Sequence, residues 1–250
     1  MRRVTSNWPP FLKTAFLRLA TLAAAVLYYG KKRYCPVCRS HSRKFLTFGV
    51  TDRKDALCPR CGALERHRLV WLYLTDRTDL FDGRAKQMLH VAPEYALKPR
   101  LAKQLGTGYI TADIEKGRAM VQLDLMDIQY PQDAFDVVYC SHVLEHVPDD
   151  RRAMRELHRV LKPDGWAVLL VPMSDGETLE DPSVVDPQER LRLYGQEDHV
   201  RLYGRDYVDR LREAGFTVTV TTIADLAGKE DATLMGLTAD AGEIYLCRKG

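Results

Sequence analysis

The chain has 250 residues, of which 46% are hydrophobic, 28% charged and 9% aromatic, a composition that excludes a disordered protein and permits one large or two modest cores. The net charge of +3 is unevenly spread: residues 1–73 carry 15 Lys+Arg against 3 Asp+Glu, a balance of +12, and residues 74–250 carry 22 against 31, a balance of −9. Such a basic front suits an anionic partner such as RNA, through counterion release, with an ordinary solvated surface as the plain alternative.

Asn7-Trp8-Pro9-Pro10 punctuates the start, and Phe11–Tyr29 reads as an apolar helix stopped at Gly30. Lys13 and Arg18 argue against a membrane span, which needs about 20 largely uncharged residues. An export signal conflicts with the thiols that follow, because two C-x-x-C pairs point to a reducing, cytoplasmic compartment. Residues 1–33 are therefore expected to lie on a membrane surface as a peripheral contact, with Lys31, Lys32 and Arg33 toward anionic headgroups, or to pack as an ordinary buried helix.

Cys35-Pro36-Val37-Cys38 and Cys58-Pro59-Arg60-Cys61 are separated by 19 residues. Each tight turn can bring two thiolates onto one ion, and a hairpin can join the pairs, so Cys35, Cys38, Cys58 and Cys61 are expected to bind structural Zn2+. A pair of redox-active sites is the alternative. Four thiolates leave no open coordination position, and His41 and His67 are not needed as ligands. Phe45–Val50 is strand-like and Ala63–Thr75 helical, so residues 34–75 form a zinc-binding knuckle with a linking helix.

Strand and helix signals alternate across residues 76–250. Strands are expected at Met88–Val91, Tyr109–Thr111, Met120–Leu125, Phe135–Cys140, Trp166–Val171, Phe216–Thr222 and Glu243–Cys247. Helices are expected at Tyr95–Leu105, interrupted or delayed by Pro99, at Asp149–Leu161 and at Arg205–Ala214. Lys162–Gly165 reads as a turn, and Pro172–His199 as a long acidic, proline-containing connection of functional type. This pattern implies an α/β, Rossmann-like, doubly wound and mostly parallel seven-stranded sheet, with ligands at the carboxyl ends of its strands.

The run Gln132-Asp133-Ala134-Phe135-Asp136-Val137-Val138-Tyr139-Cys140-Ser141-His142-Val143-Leu144-Glu145-His146-Val147 resembles the fourth strand and exit loop of class I S-adenosylmethionine-dependent methyltransferases of the type 11-like kind. Arg155–Gly165 resembles that family's next helix and turn, and the likeness covers roughly residues 86–250. It implies S-adenosyl-L-methionine as cofactor. By position, Asp113 resembles the acidic residue on the ribose hydroxyls and Asp124 the aspartate on the adenine amino group. Leu125 would offer a backbone N–H to the ring, and Cys140, Ser141 and His142 would lie beside the methionine part. For either aspartate alone, a strand-end cap is the plain reading; the two in register with the fourth strand favour the cofactor role.

The first motif departs from the family's G-x-G-x-G loop: it reads Leu89-His90-Val91-Ala92-Pro93-Glu94-Tyr95, without glycine. Either His90, Ala92 and Glu94 replace the usual contacts or donor binding has been lost, and retention of Asp113 and Asp124 favours the first. His142 and His199 are the candidate bases, with Glu145 also near the strand ends; His146 is read as packing or capping at a helix start. Glu197, Asp198 and His199 are a candidate lid. Three functions follow: methyl transfer to a small-molecule acceptor, RNA methylation with the basic zinc module as grip, or non-catalytic binding on a degenerate fold.

Overall fold

A computed structural model describes residues 23, 26–49 and 52–249. The expected helix Phe11–Tyr29 therefore lies mostly outside the described residues. Among the described residues no helix is long and apolar enough to cross a membrane. The chain divides into two compact units, one ending at Leu72 and including Ala227–Ala241, the other comprising Tyr73–Leu226 and Gly242–Gly250.

The first unit contains two antiparallel hairpins. β1 (Arg33–Cys35) pairs with β2 (Ser40–Ser42), and β3 (Leu46–Phe48) with β4 (Arg53–Leu57). Cys35 ends β1 and Cys58 follows β4, so each C-x-x-C turn leaves a hairpin strand. Helix α1 (Glu65–Asp76) begins in this unit, with its Arg68 completely buried. The Arg68 guanidinium donates to the carbonyls of Ala56 at 2.8 Å, Ala63 at 2.9 Å and Gly236 at 2.9 Å, and lies 4.3 Å from the centre of the Phe45 ring. It thereby ties the hairpin, the α1 entry and the returning segment 227–241 together, a link that pattern reading missed because the partners are backbone oxygens. His67 Nδ1 accepts from the Leu64 N–H at 3.1 Å, a use unrelated to metal.

The second unit holds the seven-stranded sheet. β5 (Met88–Val91) pairs in parallel with β6 (Tyr109–Asp113) on one side and β8 (Phe135–Ser141) on the other; β7 (Val121–Gln122) follows β6, and β9 (Leu161–Leu170) follows β8. β12 (Phe216–Thr221) and β13 (Ile244–Lys249) add an antiparallel edge next to β9, giving the order β12-β13-β9-β8-β5-β6-β7. All four residues of β5 are buried, as strands covered on both faces require.

Helix α2 (Lys98–Leu105) starts three residues later than the apolar run because Pro99 is tolerated only in its first turn. Asp149 caps α3 (Asp150–Val160) by accepting the Arg152 N–H at 2.9 Å, and Ala153, Met154, Leu157 and Val160 bury one face. Lys162–Gly165, expected as a turn, is carried within β9, where the register with β8 breaks between Phe135 and Val137. The expected third strand, Met120–Leu125, shortens to β7, since Asp124 turns back on itself to accept the Met126 N–H.

The connection after β9 is built, not loose. β10 (Leu179–Glu180) pairs with β11 (Arg201–Leu202), and α4 (Pro187–Tyr194) lies between them, capped by Asp186 and ended by Gly195 in the left-handed conformation. Arg201 donates to the carbonyls of Leu144, Val147 and Pro148, while the Val200 N–H reaches the Glu145 carbonyl at 2.9 Å. This anchors the connection to the turn after β8. Helix α5 (Tyr207–Glu213) then returns the chain to β12.

Candidate functional site

The sheet order reverses at β5, where the chain leaves first toward β6 and later toward β8. A cleft of about 320 Å³ opens at the carboxyl ends there, within the range of small-molecule sites. Asp113 reaches it from the tip of β6, and Asp124 and Leu125 from the turn after β7. Ala92 lies at its base, and Ile114, Leu123, Met126, Val143 and Val147 supply apolar walls. Each aspartate is oriented by its own backbone: Asp113 Oδ1 accepts the Glu115 N–H at 2.9 Å and Asp124 Oδ1 the Met126 N–H at 2.8 Å.

Four of the eight sequence-derived cofactor positions, Ala92, Asp113, Asp124 and Leu125, thus come together in one cleft. His90 does not. It is completely buried, with Nδ1 2.6 Å from the Tyr109 hydroxyl and Nε2 2.7 Å from Glu94 Oε2. Glu94 turns the same way and takes the Tyr139 hydroxyl on Oε1 at 2.9 Å. A buried polar network braces the glycine-free turn from within, and His90 does not line the cleft. Burial, with the Glu94 carboxylate behind it, pushes the Tyr109 phenol well above its ordinary range.

The glycine-free turn closes through backbone strain. Ala92 adopts φ 46° after donating its N–H to the Ala112 carbonyl at 2.8 Å. His142 at the tip of β8 does the same, with φ 55° and its N–H on the Leu170 carbonyl at 2.8 Å. Each left-handed non-glycine residue costs roughly 1–2 kcal/mol, and here the two flank the strand-order switch.

Cys140 is buried within β8 and its thiol is held protonated by burial, with Glu145 and Glu94 adding to the effect; it does not line the cleft. Ser141 is 5% exposed and sits at the end of the same strand. His142 is half-buried, with Nδ1 3.4 Å from Glu145 Oε1. His199 is 2% exposed and packs edge-on against His146, their ring centres 4.6 Å apart. Neither expected base lines the cleft; His146 does, from the short turn Leu144–His146 that precedes α3. The close spacing of His142, Glu145 and His146 after an apolar strand was the signal for this grouping, and it needed the fold to bring His199 to it.

In the first unit the four sulfurs of Cys35, Cys38, Cys58 and Cys61 lie within 4.8 Å of one another. Cys35 and Cys61 are 3.7 Å apart, Cys38 and Cys58 3.8 Å. A tetrahedral ion with Zn–S bonds of about 2.3 Å has sulfur–sulfur edges of about 3.8 Å, so the donor set and spacing fit zinc.

Comparison with known proteins places this geometry in context. The methyltransferase domain family matches residues 89–221. An uncharacterized methyltransferase of Bacillus subtilis, YcgJ, is 35% identical over 74 residues, 30% of this chain and 28% of its own length. The 27-O-demethylrifamycin SV methyltransferase of Amycolatopsis mediterranei is 34% identical over 108 residues, 42% of this chain and 37% of its own. The matched region thus spans well under half the length of these relatives. The solved structure of the [4+2]-cyclase SpnF shares the fold, with a TM-score of 0.53 at 17% identity over 94% of both chains.

Proposed function

This chain belongs to the methyltransferase domain family, and from that premise we propose that it transfers a methyl group from S-adenosylmethionine to a small-molecule acceptor. The observation that carries the reading is the convergence of Asp113, Asp124 and Leu125 on one apolar-walled cleft at the strand-order switch. Asp113 would accept the ribose hydroxyls and Asp124 the adenine amino group, while the Leu125 N–H would meet the ring. The apolar walls from Ile114, Leu123 and Met126 suit a planar base. When bound, the donor supplies an electrophilic methyl group on a sulfonium. The protein's part is then positioning and desolvation, with a base required only where the acceptor still holds a proton.

Relatives named for rifamycin and menaquinone precursors support a small-molecule acceptor for this chain too. The four-cysteine cluster, in this reading, holds a structural zinc ion that organises the two hairpins of the first unit. Isothermal titration of the full chain with S-adenosylmethionine is the test. Saturable one-to-one heat is expected; its absence from folded protein at concentrations well above the usual micromolar donor affinities overturns the reading.

A further inference from the structure

The unassigned chemistry of the second unit is concentrated where the turn after β8 meets the segment between α4 and β11. We propose that Glu145, His146 and His199 bind a divalent first-row transition-metal ion beside the cleft, with His142 adjacent.

Glu145 is completely buried, and neither of its carboxylate oxygens has a hydrogen-bond partner. A buried carboxylate in that condition is strongly unfavourable unless a cation compensates it. His199 Nδ1 lies 3.0 Å from the Tyr194 carbonyl. A carbonyl only accepts, so Nδ1 carries the hydrogen and Nε2 presents its lone pair. That Nε2 is buried and has no hydrogen-bond partner. His146 Nδ1 stands 3.3 Å from both the Asp198 carbonyl and Asp198 Oδ2, which fixes the same tautomer. Two imidazoles, each held through Nδ1–H by an oxygen, form the outer support that orients metal-binding histidines.

One donor atom from each of Glu145, His146 and His199 lies within 4.8 Å of the others. Ligands of a tetrahedral ion with bonds of about 2.1 Å stand roughly 3.4 Å apart, so side-chain shifts of about 1 Å bring the three groups onto one ion. Two nitrogens and one carboxylate suit zinc, iron, manganese or cobalt, unlike the four sulfurs of the first unit. Three protein ligands leave coordination positions open, and His146 also lines the cleft. An oxygen of the acceptor, a hydroxyl above all, is the ligand those positions would take, where the ion would ease loss of its proton. This last step rests on the methyltransferase reading; the metal site does not.

The test is Co2+ titration of the full, zinc-replete chain, read by visible absorption, with S-adenosylmethionine affinity measured on the same preparations. One equivalent of cobalt with weak nitrogen/oxygen-type bands is expected, displaced by Zn2+. Glu145→Gln, His199→Asn and the half-exposed His146→Gln should each weaken it at least about tenfold, with circular dichroism unchanged and, for Glu145→Gln and His199→Asn, whose side chains do not line the cleft, donor affinity within about threefold. No cobalt bound outside the four-cysteine site, or binding that survives His146→Gln in folded protein, overturns the proposal, whatever the donor affinity proves to be.

Discussion

Replacing Asp113 with alanine tests the donor site where its geometry is most specific. Oδ1 already serves the Glu115 N–H, so the second oxygen is the one left to meet a ribose hydroxyl. A hydrogen bond to a charged group contributes about 1.5–3 kcal/mol, and its loss corresponds to a roughly tenfold to 150-fold weaker Kd. The folded state loses only the turn bond to Glu115, about 1 kcal/mol, which should lower Tm by roughly 2–4 °C for a chain of this size. Titration calorimetry with S-adenosylmethionine and a thermal melt on the same protein separate the two effects. Asp113→Asn keeps the turn acceptor and loses the charge, so it should melt like the parent and bind with intermediate affinity. A Kd for Asp113→Ala within threefold of the parent, with the melt as expected, would refute the assignment of this carboxylate to the donor.

Changing Cys35 and Cys38 together to serine should abolish the intense four-thiolate absorption of cobalt-substituted protein and strip amide-exchange protection from β1–β4. Four-thiolate absorption retained by this double variant would contradict the tetrahedral cluster. The acid limb of stability should depend on Glu180 and Asp206. For Glu180, burial would raise the carboxyl, but hydrogen bonds from Arg210 and Arg201 outweigh it; for Asp206, burial is outweighed by bonds from Thr178 and Arg210. Both carboxyls therefore titrate below their unfolded values of about 4, and their contribution is full above that pH and lost as pH falls through the lower folded values. Urea midpoints measured between about pH 3 and pH 6 should fall less steeply for Glu180→Gln than for the parent, and identical slopes would refute the linkage.

The fold was legible where periodicity and length alone decide. Short apolar runs alternating with amphipathic helices fix a covered parallel sheet, and the two C-x-x-C turns fix a thiolate cluster, because both follow from local spacing. Asp113 and Asp124 were singled out through the family resemblance carried by the run around β8, and the fold brings both to one cleft.

What pattern could not supply was which polar residues face inward. His90 and Glu94 occupy the positions of a ligand loop, yet their side chains close on Tyr109 and Tyr139, and strain at Ala92 takes over the work of glycine. The connection after β9 read only as a long functional loop because its anchors are backbone carbonyls bonded by Arg201, which carry no sequence signature. His199 meets Glu145 and His146 across some fifty residues of chain, and the buried carboxylate there, without a hydrogen bond on either oxygen, exists only because those segments are brought together. Spacing along the chain sets which groups can be neighbours at a strand tip or a hairpin turn; burial and long-range contact decide which of them face the cleft, which brace its walls, and which are left without a partner.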